Sequence, residues 1–469
     1  MNARERSARA VYGCQPPMDL GRRRAWIDHF AKLVGEREGS FVECVGAELD
    51  RAPWEVFSEE IEPLLAACRW HRRRGLSLLA PRRIAGRAWW QFGQRHRRVR
   101  LPRGRVAIIA TWNYPVQLLG IQLVQAVAAG NRVVVKPSEH APRSQSLLVR
   151  CAIDAAKRAG LGEQWIRVTE PTREAGRRLL AEERFDFVIF TGSTEVGREV
   201  ARECARTLTP SALELSGRDS AIVLDDADTT LAARSLWHAL SMNGGQTCMA
   251  PRRVLVTRGA RRAFVAALAP LAAAARPRRL VSSAAAERAW RLADDAVSRG
   301  ARSVSGVHEA PFGDDGRSMR ALAIVDCPAD APLVEGRHFG PVMAVVTVAD
   351  EAEAISVHGR FEQRLATSVY TRRAKRWLDP AQVALLGSGV VTVNDAILPT
   401  GHPGASIAGV GESGWSATRG EAGLLALSRE VVVSTTSRWI RTPIDAPSAA
   451  GQRWLRAISR LLGAAGSRA

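Results

Sequence analysis

Between Arg105 and Thr207 the chain switches three times from a short apolar run to a stretch of helical length, and this alternation leaves few folds open. RVAIIAT (105–111), NRVVVK (131–136) and FDFVIF (185–190) are nearly continuous in Val, Ile and Phe, as strands buried on both faces must be. YPVQLLGIQLVQAVAAG and SQSLLVRCAIDAAKRAG lie between them and stop at Gly130 and Gly160, and a third helix is expected from Thr194 to Thr207. Strand and helix at this pitch build βαβ units, hence an open parallel sheet with helices on both faces. The second half repeats the pattern less regularly, through RRVLVT (252–257), an Ala-rich helical stretch around 260–275, PVMAVVTV (341–348) and SGVVTVND (388–395). Upstream, WIDHFAKLV and EEIEPLLAACRW carry apolar residues at three- and four-residue spacing, so residues 22–80 read as helices. A chain of 469 residues exceeds one ordinary core, and two or three domains are expected.

Composition narrows the class. The 7 cysteines include no CxxC pair, which argues against a disulfide framework and a zinc site, and no metal is expected. There is no uncharged apolar run of about 18 residues, the length a membrane span needs. The segment MNARERSARAVYGC lacks the apolar core of a secretory signal, so a cytoplasmic protein is expected. The net charge is +20, and Lys32, Lys136, Lys157 and Lys375 are the only lysines. Thirteen arginines and no acid fall between Arg69 and Arg105, interleaved with Trp70, Trp89 and Trp90. A solvated face is one reading of that run; a surface for phosphates or anionic lipid is the other. In the Pro/Ala-rich tail, Trp454, Leu455, Ile458, Leu461 and Leu462 share one helical face, with Arg453, Arg456 and Arg460 largely elsewhere. A basic amphipathic helix of this kind lies on an anionic membrane, or caps a partner subunit or a substrate funnel.

Ligands of open α/β sheets bind beyond the carboxyl ends of the strands. Those ends carry TWNYP (111–115), KPSE (136–139) and TGSTEVG (191–197). No GxGxxG is present, but GSTEVG opens a helix whose free N–H groups suit a pyrophosphate. Arg198-Glu199 after it excludes a P-loop. Farther on, NGGQTCMAP (243–251) sets Cys248 among small and polar residues, the surroundings of a reactive thiol. Cys68, Cys151, Cys204 and Cys327 stand in apolar settings that suit inert thiols.

TWNYP, KPSE, FTGSTEVG, ELSG (214–217), GGQTC, HFGPV (338–342) and GVGESG (409–414) occur in this order, and together they resemble the aldehyde dehydrogenase superfamily. RFDFVIFTGSTEVGREVA and TPSALELSG are most similar to the lineage with a short N-terminus that includes fatty and aromatic aldehyde enzymes. The resemblance spans roughly residues 20–435. It implies two doubly wound α/β domains, a Rossmann-like NAD(P)-binding domain (1–82 and 104–213) and a catalytic domain (214–405). A small β oligomerisation element (83–103 and 406–440) and the basic tail (441–469) complete the expected layout of a dimer or tetramer.

The resemblance also implies roles. Cys248 attacks the aldehyde, Asn113 and the Cys248 backbone N–H hold the oxyanion, and Glu214 activates the water that hydrolyses the thioester. Lys136 and Glu139 meet the adenosine ribose of NAD or NADP, and Ile109, Ala110, Thr111 and Trp112 line the end of the first strand. Gly192 and Ser193 face the pyrophosphate, and Phe339 sits by the nicotinamide. Tyr114, Leu118, Trp237 and Met242 map to the substrate entrance, and their apolar character suggests an aliphatic or aromatic aldehyde.

Two departures stand out. Where the family carries Glu-x-Phe-Gly-Pro, this chain has Arg337, which cannot accept hydrogen bonds from ribose hydroxyls, with Glu335 offset by two residues. Ser406-Ile407-Ala408-Gly409 replaces the usual Pro-Phe-Gly-Gly. A degenerate member serving in assembly, and a basic surface protein binding nucleic acid or membrane, are therefore the alternative readings.

Overall fold

The structure, a computed structural model, describes residues 19–86, 88–304, 312–439 and 447–466. The N-terminal segment, Arg87, parts of the tail and the Leu462 side chain lie outside that description. The chain divides into two compact units, residues 1–78 with 102–429 and residues 79–101 with 430–469.

The larger unit contains two sheets. In the first, β1 (Arg105–Ile109), β2 (Arg132–Lys136), β3 (Ile166–Val168), β4 (Phe187–Gly192) and β5 (Ser211–Leu215) run parallel in the order β5-β4-β1-β2-β3. Gly414–Trp415 pairs antiparallel with β5 at one edge and sets Gly414 opposite Glu214. In the second, β6 (Ser220–Val223), β7 (Arg253–Thr257), β8 (Leu322–Val325), β9 (Val342–Val348), β10 (Ala366–Tyr370) and β11 (Val390–Val393) run parallel in the order β8-β9-β7-β6-β10-β11. Arg302–Ser303 lies antiparallel beside β8.

The apolar runs read from the sequence form β1, β2, β4, β7, β9 and β11, each within two or three residues of the expected ends. β3, β5, β6, β8 and β10 were not singled out. β6 and β10 are short and carry Ser and Thr, yet they are buried because strands flank them on both sides. Residues 20–78 are mainly helical, interrupted by π-helical turns at Phe57–Ile61 and His71–Gly75.

The helix Gln117–Ala128 is buried nearly all round, and its two inner amides each donate one hydrogen bond. Gln122 donates to the Thr191 hydroxyl at 3.0 Å and Gln125 to the Gly420 carbonyl at 2.8 Å. The helix Thr194–Arg206 begins where the third expected helix was placed, and the Ser193 hydroxyl caps it by accepting from the Val196 N–H at 3.3 Å.

The smaller unit is built on a three-stranded sheet in which Arg82–Arg83 runs antiparallel to Gln94–Pro102, with Ser428–Thr436 on the other side. Arg98 and Arg100 both reach Glu430, at 2.9 and 3.2 Å. Elsewhere in the arginine-rich stretch, Arg69 pairs with Glu62, Arg72 with Asp28, and Arg105 with Glu183. Acids distant in sequence thus offset part of a run that contains none of its own. The last described element is the helix Ala449–Gly466. No helix among the described residues is long and apolar enough to cross a membrane.

Candidate active site

The carboxyl ends of β1 and β2 are tied together by one side chain. Gln145, on the helix Pro142–Arg158, donates to the Thr111 carbonyl at 2.6 Å and accepts from the Ser138 N–H at 2.7 Å. Just beyond β2, Lys136 lies 3.3 Å from one carboxylate oxygen of Glu139, and Arg173 donates to the other at 2.8 Å. Partial burial pushes the Glu139 carboxyl up, but the Arg173 hydrogen bond, its own backbone N–H and Lys136 outweigh it and bring the group down to about 2. Ile109 and Ala110 are buried at the end of β1, and Trp112 meets the Phe339 ring edge-on at 5.9 Å. Gly192 and Ser193 close β4 at the start of a helix. A charged carboxylate, a helix start and an aromatic wall suit a dinucleotide.

The loop that leads into Cys248 explains its own composition. Asn243, Gly244 and Gly245 have φ of 49°, 61° and 74°, a left-handed run that glycine adopts without steric cost. A Cβ on Gly245 would lie 2.5 Å from Pro341 Cα, so the loop is pressed against the HFGPV segment. Gln246 braces the turn, donating to the Asn243 carbonyl at 3.0 Å and accepting from the Val281 N–H at 2.8 Å. The hydroxyls of Thr247 and Tyr114 are 2.6 Å apart. Gly245→Ala is therefore expected to destabilise the fold by about 1–3 kcal/mol through backbone strain alone. The check is the midpoint of urea denaturation, and a midpoint equal to wild type would contradict the close approach.

At the end of this loop Cys248 is half-buried, with its Sγ 3.9 Å from Glu214 Oε1. Burial, then the Glu214 and Asp219 carboxylates, push the thiol up to about 12 against the opposing pull of Arg419 and Arg252. The resting group is a neutral thiol aimed at a carboxylate. Glu214 is buried on β5, and its other oxygen accepts from the Thr418 hydroxyl, which leaves Oε1 directed at sulfur. Asn113 has its amide oriented from both ends. Its oxygen accepts from the Thr111 hydroxyl at 3.1 Å, and its nitrogen donates to the Gln246 carbonyl at 3.0 Å, leaving one N–H uncommitted beside the loop.

Two buried guanidiniums lie behind the thiol. Arg252 donates to the carbonyls of Gly245 and Thr247 at 2.6 and 2.9 Å, and its charge centre is 4.8 Å from the Phe339 ring centroid. Arg253 points the other way, to the Val334 carbonyl and the Ser220 hydroxyl, each at 2.8 Å. Asp219 is also buried and accepts from the Leu365 and Ala366 N–H groups at 3.2 and 2.8 Å. Burial pushes its carboxyl up to about 7, offset in part by those N–H groups and by both arginines.

A cavity of about 830 Å³ opens beside the loop, with Trp237, Met242, Leu271, Met319 and Ile397 among its apolar walls. Ile397 also packs against a small cluster of Met249, Leu365, Ala366 and Ile407, and Cys248 packs against that same cluster. The substituted Ile407 thus stands near the thiol. Of the four expected substrate residues, Trp237 and Met242 line the cavity. Tyr114 and Leu118 are buried and lie off it, and the Tyr114 hydroxyl is committed to Thr247. The structure brings Cys248, Glu214 and Asn113 together. It adds Thr418, Thr247, Arg173 and Arg252, which sequence reasoning missed; the RR doublet at 252–253 was the only visible hint. Arg337 is exposed, and its neighbour Glu335 presents a backbone carbonyl to Arg218 at 3.1 Å.

Residues 3–433 match the model of the aldehyde dehydrogenase family, and the chain belongs to that family. It is 29% identical over 439 residues to a 4,4'-diapolycopene-4,4'-dial dehydrogenase of Cytobacillus firmus, covering 91% of this chain and 92% of that protein. It is 28% identical over 424 residues to a dimeric NADP-preferring aldehyde dehydrogenase of Canis lupus familiaris, covering 88% and 90%. Among solved structures, a Mycobacterium tuberculosis aldehyde dehydrogenase complexed with NAD+ is 25% identical, with a TM-score of 0.82 and coverage of 91% and 88%.

Proposed function

We propose that this protein oxidises an apolar aldehyde to the carboxylic acid, with NAD or NADP as the oxidant, through a thioester on Cys248. The observation that carries the reading is the contact of the Cys248 thiol with Glu214 at 3.9 Å beside the oriented Asn113 amide. Glu214 takes the thiol proton, and the thiolate adds to the aldehyde carbon. The oxyanion so formed is held by the free N–H of Asn113 and the backbone N–H of Cys248. The bound nicotinamide supplies the acceptor for the hydride that leaves this carbon. Once Glu214 has passed that first proton to solvent, it removes a proton from the water that opens the thioester, and the same proton returns to the departing Cys248 thiolate as the acid leaves.

The sheet of β1–β5 would hold the dinucleotide, with Lys136 and Glu139 meeting the adenosine ribose, Gly192 and Ser193 facing the pyrophosphate, Trp112 at the end of the first strand and Phe339 by the nicotinamide. The sheet of β6–β11 carries the nucleophile loop. The apolar cavity walls and the relative that acts on a long apolar dialdehyde support an aliphatic or aromatic substrate. The similarity to a dimeric relative supports a homo-oligomer. The test is NAD(P)H formation at 340 nm with medium-chain and aromatic aldehydes. A wild-type protein silent with every aldehyde and both cofactors would overturn the reading.

A second contact is supported by the tail. In the helix Ala449–Gly466, Trp454 and Leu461 are exposed beside Arg453, Arg456 and Arg460, with no acid in the segment. An anionic membrane surface suits that combination. Deletion of residues 448–469 is expected to abolish flotation with phosphatidylserine-containing liposomes and to leave oxidation of a water-soluble aldehyde unchanged. Flotation equal to that of the full chain would refute the membrane contact.

A further inference from the structure

We propose that Arg252 is a positioning residue for the oxidation, holding the nucleophile loop and the Phe339 ring in one fixed arrangement. The inference rests on the reading of Cys248 as nucleophile and adds a residue that neither the motifs nor the proposed chemistry uses. Four contacts place it. Its Nη2 donates to the Gly245 carbonyl at 2.6 Å and to the Thr247 carbonyl at 2.9 Å, the residues that bracket the turn into Cys248. Its Nη1 lies 3.4 Å from the Gly217 carbonyl, three residues beyond Glu214. Its guanidinium carbon lies over the Phe339 ring, 4.8 Å from the ring centre, and that ring in turn meets Trp112.

One planar cation therefore touches the loop of the thiol, the segment that follows the base, and the aromatic wall. A guanidinium suits this arrangement because its donors form a rigid fork and its face stacks on a ring. Its placement is deliberate on energetic grounds. Arg252 is 1% exposed, and a buried cation persists only where hydrogen bonds and an opposing charge compensate it. Asp219 is that opposing charge, and it also faces Arg253. Asn243 stands in the left-handed region with φ 49°, a backbone state that a residue with a Cβ keeps where surrounding contacts over-determine it. Arg252 grips the turn from its inner side.

The charge has a second consequence. The groups that act on the Cys248 sulfur are Glu214 and Asp219, which oppose its ionisation, and Arg419 and Arg252, which favour it. Removing Arg252 leaves two carboxylates against one cation, so the thiol should ionise at higher pH. His338 lies near Arg252 but stays neutral, because burial first and then Arg252 hold it down at about 3.

The experiment compares wild type, Arg252→Met and Arg252→Lys in two assays. The first is alkylation of Cys248 by iodoacetamide from pH 7 to 10 in cofactor-free protein, which needs no turnover. The second is steady-state oxidation with kcat and KM separated. Arg252→Met should alkylate several-fold more slowly at a given pH, because a cation that favours the thiolate is gone. Its kcat should fall at least about tenfold, with the KM for aldehyde within about twofold. Arg252→Lys should keep the wild-type alkylation profile, since the charge remains, yet lose kcat, since one ammonium nitrogen cannot stand both at the Gly245 and Thr247 carbonyls, where Nη2 lies, and at the Gly217 carbonyl, where Nη1 lies, with a planar cation over Phe339.

A lowered melting temperature with an unchanged alkylation profile and unchanged kcat in both variants would reduce Arg252 to a packing residue and overturn the proposal. If Arg252→Met does not fold, Arg252→Lys decides: wild-type kcat overturns the proposal, and a selective loss of kcat upholds it. Failure of the catalytic reading would be distinct, because wild type itself would then show no turnover while its alkylation profile remained measurable.

Discussion

Cys248→Ala is expected to lower aldehyde-dependent NAD(P)H formation by a factor of about 10⁴ or more, the scale seen when an enzyme loses its nucleophile. The melting temperature and the affinity for NAD or NADP should stay near wild type. The thiol is half-buried, and its methylene packs only at the margin of the Met249, Leu365, Ala366 and Ile407 cluster, so its removal leaves the core intact. A variant that kept even a hundredth of the wild-type rate would move the nucleophile elsewhere.

The same experiment has a pH arm. Because burial and two carboxylates push the thiol up to about 12, free Cys248 should react slowly with iodoacetamide at pH 7 and faster as pH rises toward that value. Rapid alkylation at pH 7, independent of pH above it, would contradict the neutral resting thiol. If wild type is silent with every aldehyde, Arg337→Glu separates two cases. Activity regained by that change would mean that the exposed arginine beside the HFGP segment had switched off an otherwise complete site.

Glu214→Gln is expected to split the reaction in time. The isosteric amide still accepts from Thr418 only through its oxygen, and it cannot take a proton. Thioester hydrolysis should slow by about 10²–10⁴-fold, the range for loss of a general base. Formation of the adduct depends on the same carboxylate only for the first proton, which bulk base can remove at high pH. At pH 9 or above, rapid mixing should show one burst of NAD(P)H per active site, followed by a steady phase that is nearly flat. Mass spectrometry should find the acyl group on the peptide carrying Cys248. A proportional loss of burst and steady phase at every pH, with no acyl-enzyme, would exclude Glu214 from hydrolysis and leave it a partner of the thiol alone.

Much of this was legible beforehand because it depends on short-range chemistry. Apolar runs such as RVVVK can only be buried strands, and the residues immediately after them are delivered to one edge of the sheet whatever else the chain does. The glycine doublet before Cys248 announces a left-handed turn, because few other residues adopt one without strain. Ser193 and Thr194 after β4 announce a helix start. These are properties of a few neighbouring residues, and tertiary packing refined them by only a residue or two.

Other features had no local signature. β5 carries Glu214 in a stretch, SALEL, that is weakly apolar, and it becomes a strand because β4 and Gly414–Trp415 pair with it from either side. Tyr114 was expected at the substrate entrance, but its hydroxyl is held by Thr247, which is 133 residues away in sequence. Thr418 and Glu214 are separated by 204 residues, and Arg252 and Phe339 by a whole helical layer of sequence, yet each pair meets at the site. The sequence by itself determined the parallel α/β architecture and the ordered motifs, with Cys248, Glu214 and Asn113 among them, that mark the family. Only the tertiary structure decided which oxygen of Glu214 faces sulfur, which side chains line the cavity and which cation grips the loop, because hydrogen bonds and ring contacts depend on distances in space that residue spacing along the chain does not encode.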